Sequence, residues 1–341
     1  MTSTEKRPIA LLTGFLGSGK TLLLNALLAE PAFASTAVIV NEFGEIGLDH
    51  LLVRSSTDNV VLLEAGCLCC TIADSLHETL ADLNFRRVRG EVPPFERVVI
   101  ETTGLADPAP ILNTLLGNRL VTDHYRLDVV VATADAEHAL RSIERHREAA
   151  RQIAVADRLV ITKTDIAPAS EVAQLQATLQ RFNPGAEIHG SCRGSAALAA
   201  FAAGSASIPR NVAAFGSHAD EHYAGRHDDR IHAHCIVLDA PASWSGIAAW
   251  SRVLVDTLGD RLLRCKGVVE IADSGEIVFL QGVQRVFHTP ERLRGWPDAD
   301  QRSRLVCITR DVPEAELRRT LPALKLSPGS DPNVTLADLA A

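Results

Sequence analysis

Short aliphatic runs punctuate the first half of this 341-residue chain. "PIALLTG", "TAVIVNE", "ERVVIETTG", "LDVVVATAD" and "DRLVITKTD" are rich in Leu, Ile and Val, and each leads into a turn or a helical stretch. Continuous rather than alternating apolar runs predict strands buried on both faces. With helical segments between them they predict an α/β fold, a mostly parallel sheet flanked by crossover helices. Ligands of such sheets sit beyond the C-terminal ends of the strands, so chemistry is expected in the residues that close each run. From Ile231 the pattern changes to an alternating "IHAHCIVLD", a helical "WSGIAAWSRVLVDTLGD", a hairpin around Ser274 and Gly275, the strand "RLVCITRD" and a helical "PEAELRRTL". That order predicts a small C-terminal α+β domain. The Ala-, Gly-, Ser- and His-rich stretch between reads as a short helix followed by a flexible connector. The expected division is 1–190 for the sheet domain, 191–230 for the connector, 231–325 for the second domain and 326–341 for a loose tail.

Composition narrows the function. A hydrophobic content of 46% suffices for ordinary cores, and the length favours two domains. The net charge of −8 gives no general attraction to nucleic acid or to anionic membranes, and neither is expected as a partner. The basic cluster in "NFRRVRG" reads as a solvated helix face. "MTSTEKRPIA" has no signal-peptide character and "LLTGFLG" is too short and glycine-broken for a membrane span, so a cytoplasmic protein is expected. Seven cysteines in a reducing compartment point to ligands, nucleophiles or core packing rather than to a disulfide framework.

The first run ends in "GFLGSGKT", residues Gly14, Phe15, Leu16, Gly17, Ser18, Gly19, Lys20 and Thr21, which fits G-x-x-x-x-G-K-[ST] between a strand and a helix. The glycines let backbone N–H groups turn inward around phosphate oxygens, Lys20 supplies charge for the β- and γ-phosphates, and the Thr21 hydroxyl can ligate Mg²⁺. "ERVVIETTG" closes in Glu101, whose carboxylate can hold a Mg²⁺ water shell, and in Gly104, whose N–H can sense a γ-phosphate. The pair implies hydrolysis of a nucleoside triphosphate or phosphoryl transfer. In "TKTD", Asp165 can accept from the N1–H and exocyclic amine of guanine, while Lys163 would lie along the base. Thr162 occupies the place where such motifs usually carry Asn, so the side-chain amide that ties base loop to phosphate loop is missing.

"EAGCLCC" places Cys67, Cys69 and Cys70 within four residues. The C-x-x-C spacing lets two sulfurs converge at a turn, and a third thiolate favours Zn²⁺ or another thiophilic ion over Mg²⁺. A redox pair and a structural role are the alternatives. Glu42, which follows the second run, could complete a metal site or join the Mg²⁺ shell, as could Glu45; both could equally cap the next segment. His218, His222 and His227 in the connector, with His232 and His234 just beyond it, can collect Zn²⁺ weakly or simply be solvated. Cys192, Cys235, Cys265 and Cys307 read as packing or incidental residues.

Taken together, "GFLGSGKT", "NEFGEIGLD", "EAGCLCC", "ETTGLADP" and "TKTD" resemble the CobW-type metallochaperones, P-loop GTPases related to the urease and hydrogenase nickel-insertion GTPases. The resemblance covers residues 8 to about 185, and the last third more loosely through "RCKGVVEI" and "FLQGVQRVF". It implies that Gly14 to Thr21 bind GTP and Mg²⁺, that Glu101 to Gly104 form the nucleotide-sensing loop, that Thr162 to Asp165 face guanine, and that Cys67, Cys69 and Cys70 hold a transition metal. Leu22 departs from the pattern, since many relatives carry a second threonine there. The expected function is a GTPase whose cycle gates delivery of a metal, foremost zinc, to a client metalloprotein. A nucleotide-dependent small-molecule kinase with structural cysteines, or a metal storage protein without coupled turnover, would fit the same motifs. Nothing in the sequence sets the client or the oligomeric state.

Overall fold

The computed structural model describes residues 6–40, 61–64, 72–202, 231–327 and 329–338, which form two compact units, one on either side of residues 203–230. The first unit runs β1 (Arg7–Gly14), α1 (Lys20–Leu28), β2 (Thr36–Val40), β3 (Val61–Glu64), α2 (Ile72–Val88), β4 (Arg97–Glu101), α3 (Pro108–Gly117) and α4 (Arg119–Thr122). It continues with β5 (Tyr125–Asp135), α5 (Ala139–Arg145), α6 (Arg147–Val155), β6 (Arg158–Thr162), α7 (Ala169–Phe182), β7 (Glu187–Gly190) and α8 (Ala197–Phe201). Its strands form one seven-stranded sheet in the order β3-β2-β4-β1-β5-β6-β7, with every neighbouring pair parallel. The five apolar runs are β1, β2, β4, β5 and β6; β2 and β6 are buried along their whole length, as two-sided strands must be.

Two strands extend the sheet beyond those runs. β3 is the "VLLE" directly ahead of the cysteine segment. β7, "EIHG", is a partly exposed edge strand that needs no apolar run. Core packing under α1 unites Leu23, Leu24, Leu27 and Leu28 with Val38, Val99, Val131 and Val160 of four strands. Ala197, Ala200 and Phe201 of α8 join this cluster, and the buried Arg158 donates to the carbonyls of Ala200 (3.0 Å) and Ala202 (2.8 Å). Those bonds satisfy the open end of a five-residue helix that could not persist alone. Residues 191–201, placed in the connector on the sequence, are therefore packed onto the first unit.

The second unit runs β8 (Ile231–Val237), α9 (Trp244–Leu258), β9 (Leu262–Glu270), β10 (Ile277–Val283), β11 (Val286–Phe287), β12 (Glu291–Leu293), β13 (Arg304–Arg310) and α10 (Glu314–Arg318). Its antiparallel sheet has the order β11-β10-β9-β13-β8, with β12 also on β10. The short β11 and β12 add to the expected order of elements; β11 brings Phe287 edge-on to the buried Trp250, 5.9 Å between centroids. Among the described residues after 325, the expected loose tail is in part packed. Leu326, Val334 and Leu336 pack on this core, and Ser243 Oγ donates to the Leu326 carbonyl at 2.5 Å. Isolated apolar anchors among Pro, Gly and Asp carry no periodicity that a sequence could reveal. No helix among the described residues is long and apolar enough to cross a membrane.

Candidate functional site

Because the first sheet is parallel, the C-terminal ends of β1, β4, β5, β6 and β7 open on one edge. β1 ends at Gly14 and α1 starts at Lys20, with Gly17 and Gly19 at φ 68° and 87° in the loop between. Few residues but glycine hold these angles, which turn the loop back on itself at the N-terminus of α1, where free N–H groups and the helix dipole attract anions. Ser18 fastens the loop: its hydroxyl donates to the Phe15 carbonyl at 2.6 Å and meets Thr133 Oγ1 of β5 at 2.7 Å. Lys20 Nζ curls over the same loop, donating to the carbonyls of Gly14 (3.0 Å) and Phe15 (3.2 Å). Leu16 is exposed at the loop tip, and Leu22 is exposed on α1, where it presents no hydroxyl.

Glu101 at the end of β4 is buried, and Thr21 Oγ1 donates to its Oε1 at 2.9 Å. A hydroxyl and a carboxylate brought this close are hard oxygen donors, a set that fits Mg²⁺ and not a thiophilic ion. Thr102 ties this strand end to β1, its N–H donating to Leu12 O at 2.9 Å and its hydroxyl to Thr13 Oγ1 at 2.9 Å. Gly104 lies directly on the phosphate loop: a Cβ at this position would sit 2.6 Å from the Leu16 nitrogen, so any side chain would push the two loops apart.

At the end of β6 the Thr162 hydroxyl donates to the Ser18 carbonyl at 2.8 Å. With no side-chain amide at this position, the loop after β6 is tied to the phosphate loop by a shorter side chain. Lys163 sits at φ 59° and forms an ion pair with the carboxylate of Asp135, the last residue of β5. Asp165, a third exposed, faces Arg193 Nε at 3.9 Å from the turn that follows β7. Sequence reasoning passed over Asp135, although it closes an apolar run as Glu101 does. Arg193 gave less signal, because the edge strand before it carries no run. Two contacts from α6 also went unread: His146, just ahead of the helix, stacks on Phe15 with centroids 4.6 Å apart, and Arg151 pairs with Asp107.

Glu42, Glu45, Cys67, Cys69, Cys70, His218, His222 and His227 lie outside the described residues. Among the described residues no group of three or more His, Cys, Asp or Glu could hold a metal ion. The sheet does fix where the flanking segments start: Val40, after which "NEFGEIG" begins, is the register partner of both Glu64, after which "AGCLCC" follows, and Glu101. Of the other cysteines, Cys265 and Cys307 are fully buried cross-strand partners with sulfurs 3.5 Å apart. The bond to Cys265 and burial hold the Cys307 thiol well above its ordinary value. Burial pushes Cys235 up to about 12, so it too stays a thiol. Cys192 is exposed, which leaves the incidental reading of it rather than packing.

A glycine loop with its lysine, an acidic strand end and an aspartate-bearing loop, all on one edge of a parallel sheet, define a P-loop nucleotide-binding protein. Residues 8–190 match the family described as CobW/HypB/UreG, nucleotide-binding domain, and residues 231–325 match the cobalamin synthesis protein cobW C-terminal domain. The chain belongs to this family. It is 34% identical over 318 residues to the zinc chaperone YjiA of Escherichia coli strain K12, covering 93% of this chain and 98% of that protein. It is 27% identical over 354 residues to the zinc chaperone CobW of Sinorhizobium sp, covering 94% and 97%. The crystal structure of zinc-bound YjiA GTPase from E. coli superposes with a TM-score of 0.66 at 27% identity, covering 94% of this chain and all of that one.

Proposed function

We propose that the chain is a GTP-hydrolysing metallochaperone of the cytoplasm that binds a transition metal, zinc foremost, and passes it to a client metalloprotein in step with its nucleotide cycle. One observation carries this reading: Val40, Glu64 and Glu101 are register neighbours, and Glu101 is hydrogen-bonded to Thr21. The strand ends Val40 and Glu64, from which the chain continues to Glu42 and to Cys67, Cys69 and Cys70, thus lie within two strand spacings of the Mg²⁺-competent pair, roughly 10 Å. A change at the γ-phosphate would be felt where both metal-bearing segments start. The names of the relatives, zinc chaperones of similar length, support zinc as the cargo.

In this reading the backbone of Gly14 to Gly19 and Lys20 would hold the phosphates of GTP, and Thr21 and Glu101 would hold Mg²⁺. Mg²⁺ would offset charge that builds on the β- and γ-phosphate oxygens. Gly104 N–H reads the γ-phosphate, and Asp165 accepts from the guanine edge while Lys163, held by Asp135, lies beside the base. Turnover by such positioning alone is slow without a partner.

Purified protein should bind GTP at least about tenfold more tightly than ATP, and Asp165→Asn should remove most of that preference. Lys20→Ala should abolish hydrolysis. Equal affinity for GTP and ATP, or phosphate transfer to an added small acceptor, would favour the kinase reading instead.

A further inference from the structure

Helix α6 carries a buried side chain for which the nucleotide chemistry above has no use. Gln152 is fully buried, and its Nε2 donates to the carbonyls of Gly104 (3.2 Å) and Ala106 (3.0 Å). The orientation of the amide follows from chemistry, because its oxygen turned the same way would face two acceptors. The two carbonyls belong to the turn Thr103–Ala106, which is closed by the Ala106 N–H donating to Thr103 O at 3.2 Å. In front of this turn lies the phosphate loop, against which Gly104 is packed too closely for a side chain. Behind it stands Gln152. The next residue along, Arg151, pairs with Asp107, which caps α3 by accepting from Ala109 N at 3.1 Å.

The helix is a firm mount for this residue. Asn183 Nδ2 donates to the carbonyls of Ile153 (2.9 Å), Ala154 (3.2 Å) and Ala156 (2.7 Å), satisfying the C-terminal end of α6. At the other end His146 stacks on Phe15 of the phosphate loop. Directly after α6 the chain enters β6, which delivers Thr162 and its bond to Ser18. Gln152 is therefore carried by the element that touches the phosphate loop at its start and leads into the base loop at its end.

We infer that Gln152 is the positioning residue of the Glu101–Gly104 loop: its two donated hydrogen bonds set where the Gly104 N–H stands against the γ-phosphate of GTP. The inference rests on the reading of that loop as the γ-phosphate sensor. Gly104 has no side chain with which to fix its own turn, and the closing bond from Ala106 leaves the outer carbonyls to be held by another group. Without the amide both carbonyls are left buried without this donor, and the turn relaxes toward other partners. Displacements of about 1 Å at a reacting centre can cost on the order of 100-fold in rate.

Two variants test this: Gln152→Met keeps the length and removes both donors, and Gln152→Glu keeps the shape and restores one donor only when protonated. Steady-state GTP hydrolysis is measured from pH 9 to pH 6 beside wild type, with near-ultraviolet circular dichroism to show that each variant is folded. For Gln152→Met, kcat should fall about tenfold or more while KM for GTP changes less than about threefold, because the loss falls on the transition state. For Gln152→Glu, kcat relative to wild type should be lowest at high pH and climb as pH falls, since burial raises the carboxyl pKa and the neutral acid can donate. A merely structural role would lower the unfolding temperature of both variants without that climb. Folded variants with wild-type kcat across the range overturn the inference alone. A wild-type protein that does not hydrolyse GTP overturns the proposed function and this inference with it.

Discussion

At the scale of single residues, Thr162 shows how a motif can be satisfied by other means. The hydroxyl reaches the Ser18 carbonyl at 2.8 Å and so joins the two loops without an amide. Thr162→Val keeps the β-branched shape and removes the donor, leaving a buried carbonyl without it. The nucleotide-free protein should lose about 1–2 kcal/mol of stability. Thermal unfolding would show this as a fall of roughly 2–8 °C for the first unit, and no fall would mean that the bond is immaterial. The phosphate loop, Glu101 and Asp165 were legible from residue type and place in the chain. Gln152, Asn183 and Arg158 were not, because each acts on carbonyls 27 to 48 residues away, and a polar residue within or just after a helix or strand does not announce a tertiary acceptor.

At the scale of elements, two-sided burial made five strands of the first sheet readable, while β7 was hidden by short length and mixed polarity and β11 by its length of two residues. β11 ends at Phe287, and the next residue, His288, donates its N–H to Gln281 O at 3.0 Å. Burial, helped by the Arg264 guanidinium, pushes His288 down to about 4. His234 is lowered in the same sense, first by burial and then by His232. In the unfolded chain each histidine titrates near 6.5. For His288, between pH 6.5 and about 4 the unfolded state therefore takes up a proton that the folded state refuses, and stability falls as pH is lowered through that window; His234 acts in the same direction. The share of His288 amounts to about 2 kcal/mol between pH 7 and pH 5. Urea unfolding of the second unit at the two pH values should show the loss, and His288→Gln should shrink it by that amount. An unchanged pH dependence in the variant would mean that His288 already titrates normally in the folded protein.

At the scale of the whole molecule, the parallel sheet gathers separate chemistries by strand order rather than by sequence order. β2 and β4 are neighbours in space, β3 lies on the outer side of β2, and their C-terminal ends lead into the glutamate segment, the loop from Glu101 to Gly104 and the cysteine segment. If GTP and Mg²⁺ assemble the metal site through this edge, the coupling must run in both directions. The direct measurement is a competition titration of Zn²⁺ against a chromophoric chelator, with GTP and Mg²⁺ and then with GDP and Mg²⁺, on wild type and on the Cys67→Ala, Cys70→Ala double variant. Wild type should bind Zn²⁺ about 5- to 150-fold more tightly with GTP than with GDP, the range typical of allosteric pairs. The double variant should lose that difference while binding GTP as before in metal-free buffer. Equal Zn²⁺ affinity of the wild type in the two nucleotide states would contradict a nucleotide-gated metallochaperone, even if the cysteines hold the metal.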